Sequence, residues 1–443
     1  LGSFYSYSID QSLRFNEDDA PRLTRSIGTP TDETVWTFSC WLKRSTLNSV
    51  ENADHPVVSG GTDAGNYEVV GFWNSTDDVI INSTSTGSRN TNTTQVFRDL
   101  SSWYHLVVQR NDANQVIYIN GVAVNTISSA SSSDSYINKS GHTMTVGCHV
   151  PSLNTVCFDG YLADVVFVDG TAVSISSLGE TIGGVWVAKD PSGLTFGNNG
   201  YYLKFADDSA LGTDSAGNGS FSTNGVAATD VVPDSPTNNW ATNNGAMRAN
   251  ITHSEGNLKM VGVGGNFDNT AGTFLFDVED TDGWYWEGYV NSGGVEVRFG
   301  ISKPQNVYFN QSDPTYNFAH SSDGIAYKGN GSKSTGGTDS SYGDSFTTGD
   351  VIGIAVKAGA LYFYKNGSIQ NSGTAAATGL TGQYVPAVSI NSTLSLSTNY
   401  GQDSTFAGAV TAGGNSDANG LGDFKHSVPS GYKALCTANL PEP

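Results

Sequence analysis

The stretch from Gly349 to Gly367, GDVIGIAVKAGALYFYKNG, shows its pattern without help. Ile352, Ile354 and Val356 alternate with small or polar neighbours, so one face of a strand enters a core while the other meets water or a second layer. After a short break at Lys357 to Gly359, the aromatic run Leu361-Tyr362-Phe363-Tyr364 suits a pleated surface and is stopped by Asn366-Gly367. Asn-Gly predicts a type I′ hairpin turn, whose two central positions need positive φ. The same arrangement stands upstream. Trp103 to Val108 reads as a strand, Asn111 to Asn114 as a polar break, and Val116 to Ile119 as a strand ended by Asn120-Gly121. The two copies share no long identity, so they are one structural solution used twice and not a repeat of solenoid period. Two domains are expected, each built around such a hairpin.

Further strand patterns fill residues 1–205: Tyr5 to Phe15, Trp36 to Leu42, Val57-Val58, Tyr67 to Trp73, Val79 to Ile81, Thr143 to Val146 and Phe158 to Gly170. Residues 206–245 are turn chemistry with few apolar anchors. They read as an extended linker, or as an irregular strand wrapping the first domain, stiffened by Pro233 and Pro236. The isolated Trp240 there suits packing between domains or a sugar-stacking platform. Over 246–443 strands resume at Leu258 to Val263, Thr273 to Val278, Trp284 to Val290, Val295 to Ile301, Tyr384 to Ser389 and Leu394 to Gly401, with a Gly-, Ser- and Thr-rich loop over 328–348. No stretch of ten or more residues carries a 3.6-residue apolar period. The expected fold is all-β: two antiparallel β-sandwich, or jelly-roll, domains in tandem.

Composition sharpens this picture in three places. The 53 Gly and a charged fraction of only 14% fit strands joined by long polar loops. A net charge of −21, with no stripe of Lys or Arg, disfavours nucleic acid as a partner. The scattered acidic residues read as a solvated surface; calcium is the alternative, although no run has the spacing of an EF-hand. No apolar run reaches 18 residues, so no membrane span is expected.

Four cysteines stand at 40, 148, 157 and 436. Cys148 and Cys157 are spaced to face each other across a hairpin, with His149 beside the first. One His and two Cys lack a fourth ligand and the paired CxxC of a structural zinc site, so no metal is assigned. The pair is expected as buried thiols, with a disulfide as the alternative.

Catalytic patterns do not gather. Asp159 and Asp164 are five positions apart, which on a regular strand puts them on opposite faces, whereas a glycosidase needs two carboxyls facing one bond. None of the seven His stands in a recognisable motif, and His105, on a strand between Tyr104 and Leu106, reads as structural. No Gly-x-Ser-x-Gly elbow or phosphate-binding Gly loop is present. A non-enzymatic protein with no catalytic residue is expected.

WTFSCWLKR (36–44), WYHLVVQR (103–110), IYINGVAV (117–124) and FDGYLADVVFVDG (158–170) together resemble the concanavalin A-like, laminin-G-like lectin domain. The resemblance implies a curved jelly-roll whose loops along one edge often bind glycans and sometimes a calcium ion. Asp63 and Asn66, in GGTDAGNY, are the candidate ligands by their chemistry, against a plain Asx turn. Glucanases of this fold carry Glu-x-Asp-x-x-Glu on one strand, and this chain has no such run. The second half resembles a SPRY domain through GWYWEGYV, VRFGIS, AYKGNG, SYGDSF, GDVIGIAVKAGALYFYKNG, GQYVPAVSI and NYGQ, with a turn, KAGA at 357–360, shorter than the family's usual one. That implies a bent β-sandwich that recognises a partner.

SVPSGYKALCTANLPEP and DSPTNNWATNN resemble segments of structural proteins of tailed bacteriophages. The resulting expectation is a virion surface protein (tail fibre, spike or capsid decoration) that aids host attachment. Its expected partners are other virion proteins, host surface glycans and further copies of itself in a homo-oligomer. A secreted carbohydrate-binding lectin is the alternative, and a polysaccharide-degrading enzyme a third class. Sugar stacking would fall to Trp73 beside Asn74 and to Tyr308 and Tyr316, each weighed against core packing.

Overall fold

The computed structural model describes residues 4–47, 55–73, 75–84, 89–127, 135–247, 250–264, 267–308, 316–391 and 393–440. Its contacts divide the chain between Asn238 and Asn239 into two units.

The first unit faces two antiparallel sheets against each other. One runs in the order Val122–Ile127, Asn114–Ile119, Tyr104–Asn111, Val35–Arg44, Gly160–Asp169, Ser12–Phe15 and Val231–Val232, with Tyr201–Leu203 also paired to Gly160–Asp169. The other runs Ser222–Asn224, Arg22–Ser26, Thr143–Val146, His55–Asp63, Asn66–Phe72, Asp78–Ser83 and Arg89–Val96. Trp36, Phe38, Cys40 and Leu42, every second residue of one strand, enter the core with Leu106, Val108, Val70 and Phe72. Trp41, on the opposite face, is buried too, against Trp103 and Tyr161. The central strand is thus covered on both sides.

Residues 206–238, read from the sequence as a linker or a wrapping strand, lie within this unit. Ser222–Asn224 pairs with Arg22–Ser26, and Val231–Val232 with Ser12 and Leu13. The Asp234 carboxylate then closes over the outer face, accepting from Lys43 Nζ at 2.9 Å and Trp103 Nε1 at 3.1 Å. Pairing by two- and three-residue strands leaves no periodicity to read, so the stretch looks like a linker in the sequence although its contacts group it with the first unit.

The second unit repeats the plan. One sheet runs Ile251–Ser254, Lys259–Gly262, Ser395–Asn399, Trp284–Ser292, Val351–Lys357, Ala360–Lys365 and Ser368–Ile369. Its partner runs Phe267–Ala271, Gln383–Asn391, Arg298–Ser302, Gly324–Lys328, Ser332–Thr335 and Thr338–Ser341, with Phe276–Asp277 also on Gln383–Asn391. The Asn-Gly signals act as predicted: Asn120 and Gly121 have φ of 49° and 77°, and Asn366 and Gly367 of 47° and 79°. The Gly-, Ser- and Thr-rich stretch over 328–348 is not a loop. Gly336-Gly337 turns it into an edge hairpin, whose last strand is fully exposed and so tolerates its polar side chains.

Two other expectations change. Cys148 and Cys157 are joined by a disulfide and are not free thiols, because an isolated antiparallel bridge brings their backbones together; Cys40 and Cys436 are the buried free cysteines. Trp240 is not an open platform. It is buried inside the second unit, with Tyr285, Ala355, Phe424, Tyr432 and Cys436.

That cluster belongs to a strap, residues 401–440, laid across the outer face of the sheet. Buried Glu287 pins it by accepting from the backbone amides of Lys425 at 2.8 Å and His426 at 2.9 Å. The strap ends beside the start of the unit, where Ala241 N donates to Leu435 O and Thr437 N to Asn239 O, both at 2.9 Å.

Candidate functional site

Asp63 and Asn66 close one hairpin, between His55–Asp63 and Asn66–Phe72. The Asp63 carboxylate accepts from the Gly65 amide at 2.8 Å, Asn66 Nδ2 at 2.9 Å and Thr62 Oγ1 at 3.0 Å, and these bonds hold it below the usual carboxylate range. These bonds make the Asx-type turn that was the alternative for the pair. Among the described residues no three His, Cys, Asp or Glu are gathered to hold a metal. Trp73 lies past the other end of the same strand, about 23 Å from Asn66 at the usual rise per residue. It is half-buried, and its backbone closes a tight loop with Asp77 and Asp78. Asn74 lies outside the described residues. Tyr308 ends the five-residue helix Pro304–Tyr308 of the second unit. Tyr316, half-buried, stacks on His320 at 5.4 Å. Within the first unit, the fold thus leaves Trp73 at the far end of the strand from Asp63 and Asn66.

Asp164 departs from the alternation argument, while Asp159 stands just before the strand begins at Gly160. The strand bulges between Ala163 and Val166, and Asp164 takes φ 44°, so the two-residue period slips by one. Asp164 meets Tyr7 Oη and Tyr202 Oη, each at 2.9 Å, and burial raises its pKa to about 6. Asp159 is pushed up to about 8, by burial first and then by Glu17, while its Oδ2 accepts from Thr46 Oγ1. Five residues of strand still separate the two carboxyls by roughly 15 Å, well beyond a glycosidase pair.

A Ser–His contact also exists, at 2.8 Å between Ser39 Oγ and His105 Nε2. Its chemistry is the reverse of a nucleophile's. The Trp186 indole can only donate, and it donates to His105 Nδ1 at 2.9 Å, so Nε2 carries the proton and donates to the serine. Stacked on Trp41 at 4.6 Å and buried, His105 has its pKa lowered to about 3.

One concave feature among the described residues of the first unit is a shallow cleft of about 350 Å³ between residues 208–213 and 220–228. Buried Leu211 and Phe221 tie its floor to the core, and Phe221 N donates to Gly212 O at 2.8 Å. The Arg25 guanidinium lies 4.8 Å from the Phe221 ring and 5.2 Å from that of Tyr201, donates to Gly219 O and pairs with Asp214 at 3.6 Å. Asp214 in turn accepts from the amides of Tyr202, Ala216 and Asn218, fixing the turn beside the cleft. The open side offers Asp208, Ser209, Thr213, Ser220 and Thr223, all exposed, next to Val226, Ala227 and Ala228. Hydroxyls and a carboxylate of this kind take sugar hydroxyls; no aromatic face is open for stacking. Sequence reasoning misses these residues because they fall in the supposed linker. Two apolar anchors in polar text, Leu211 and Phe221, are the signal that could have found them.

Residues 18–176 match the concanavalin A-like lectin/glucanases superfamily. Residues 283–403 match the SPRY domain. The chain is therefore all-β, with a lectin-like and a SPRY sandwich in tandem. Among solved structures, a putative carbohydrate binding protein from Bacteroides ovatus is similar at 16% identity and TM-score 0.37, over 50% of this chain and 60% of its own. The SAP-like pentraxin of Limulus polyphemus is similar at 14% identity and TM-score 0.31, over 42% and 94%. The SPRY domain of human HERC1 is similar at 18% and TM-score 0.26, over 32% and 87%. No curated protein matches the chain by sequence. The cleft lies beyond the lectin-like match, and the strap beyond Asp403 lies outside the SPRY match.

Proposed function

We propose that the chain is a non-catalytic recognition protein on the surface of a particle, a tailed-phage virion, where it serves as a tail fibre, spike or decoration. In this reading the lectin-like sandwich binds a host glycan, the SPRY sandwich holds a neighbouring protein, and several copies in a homo-oligomer multiply a weak single-site affinity. The observation that carries the glycan part is the hydroxyl- and carboxylate-lined cleft on a sandwich matched by the lectin superfamily. The distance between Asp159 and Asp164 and the donor role of His105 Nε2 support a protein without hydrolytic chemistry. Imaging of purified particles tests the placement, and a glycan array with and without calcium tests the binding. Symmetry-related copies on particles together with array binding support the reading. Free protein only, or no glycan bound, counts against it.

A second reading is a free, secreted lectin. The Cys148–Cys157 disulfide favours an oxidising surrounding, which suits a secreted protein as well as a particle exposed outside a cell. Particle imaging separates the two.

A further inference from the structure

We propose that the cleft of the first unit takes an uncharged, N-acetylated sugar and refuses anionic glycans. This rests on the glycan-binding reading above and narrows it.

Charge comes first. The cleft is lined by Asp208 and by no Lys or Arg, and the neighbouring Asp207 carboxylate, held by the amide and hydroxyl of Ser209, stands at its lip. Of the cations near by, Arg25 is paired with Asp214 and lies against two aromatic rings, and buried Arg14, beside the end of the cleft, is bonded to Thr229 O and Asp230. A uronate, sialate or sulfated sugar therefore meets like charge with nothing to offset it.

Shape and apolar surface come second. A plain hexose presents its C–H face to an aromatic ring, and here the ring of Phe221 is turned into the core and only 6% exposed. The apolar surface offered instead is methyl-sized: Ala227, Ala228 and the edge of Val226. An acetamido group matches it. Its methyl lies on those side chains, its N–H donates to a carboxylate such as Asp208, and its carbonyl accepts from a hydroxyl such as Thr223. The volume of about 350 Å³ falls within the range of small-ligand sites.

The test titrates the full chain with three probes of equal length: chitotriose, cellotriose, and a sialylated trisaccharide. Chitotriose is expected to bind, cellotriose at least tenfold more weakly, and the sialylated probe not measurably. Thr223→Val removes one hydroxyl and weakens chitotriose roughly fivefold to tenfold, the usual worth of one hydrogen bond. Asp208→Lys relaxes the refusal of the sialylated probe. Both positions are exposed, and an unchanged melting curve shows that the variants fold. Equal binding of the sialylated probe, or chitotriose binding untouched by both variants, overturns this assignment while leaving the lectin reading standing. Failure to bind any glycan on an array removes both.

Discussion

Asp164 shows how a single residue can defeat a periodicity argument. Its neighbours alternate as a strand should; the αL conformation at Asp164, within a bulge, breaks the two-residue period, and Tyr7 and Tyr202 cap the carboxylate. A β-branched residue tolerates that φ poorly and also gives up two hydrogen bonds. Asp164→Val is thus expected to lower stability by about 2–4 kcal/mol in a denaturant titration, and more than Asp164→Gly does. Titration gives a second expectation. Folding raises Asp159 to about 8, so the folded state holds the proton more tightly than the unfolded one, and this contribution is lost as pH rises to 8. His55 and His149, lowered to about 4, and His105, lowered to about 3, act oppositely, but only below their ordinary pKa near 6.5. Between pH 6.5 and 8 the first unit should therefore lose stability with rising pH, as followed by its melting temperature, and Asp159→Asn should flatten the slope. None of this was legible in the sequence, because burial, and not residue type, sets these values.

Regular elements were the legible part. The Asn-Gly turns at 120–121 and 366–367 and the strands at Val35–Arg44, Tyr104–Asn111, Val351–Lys357 and Ala360–Lys365 stand where the pattern puts them, since each is decided by neighbours within a few positions, whereas Tyr5 to Phe15 and Thr273 to Val278 are strands only at Ser12–Phe15 and Phe276–Asp277. Segments that bind through side chains were not legible. Val231–Val232 pairs over only two residues with Ser12 and Leu13, and the adjoining Asp234 is buried against Lys43 and Trp103, partners about 190 and 130 residues away that leave no local trace. Removing Asp234 takes away the carboxylate that offsets a buried ammonium. Asp234→Ala should cost about 3–5 kcal/mol, and limited proteolysis should then cut within 231–238 before the rest of the unit. The candidate cleft was missed for the same reason: its floor is made by Leu211 and Phe221 reaching back to a distant core.

Across the whole molecule, apolar sheet faces are closed by irregular chain. In the second unit Glu287, Asp417 and Asp423 take the backbone amides of the strap, which lets a turn-rich segment lie on an aromatic face without strand pairing. Truncation after Asp403 uncovers Tyr285, Trp240 and Ala355, and the shortened protein should associate in size-exclusion chromatography while the full chain does not gain that species. With the sheet faces covered, recognition is left to loops, rims and clefts, as the proposed glycan site is. The second unit also starts and finishes side by side, Asn239 against Thr437 and Ala241 against Leu435. A pull on those two ends would load these hydrogen bonds one after another, like a zip opened from its tab, and not all together in shear. Under tension this sandwich should yield from its margin inward, giving way at low force while its core strands are still paired.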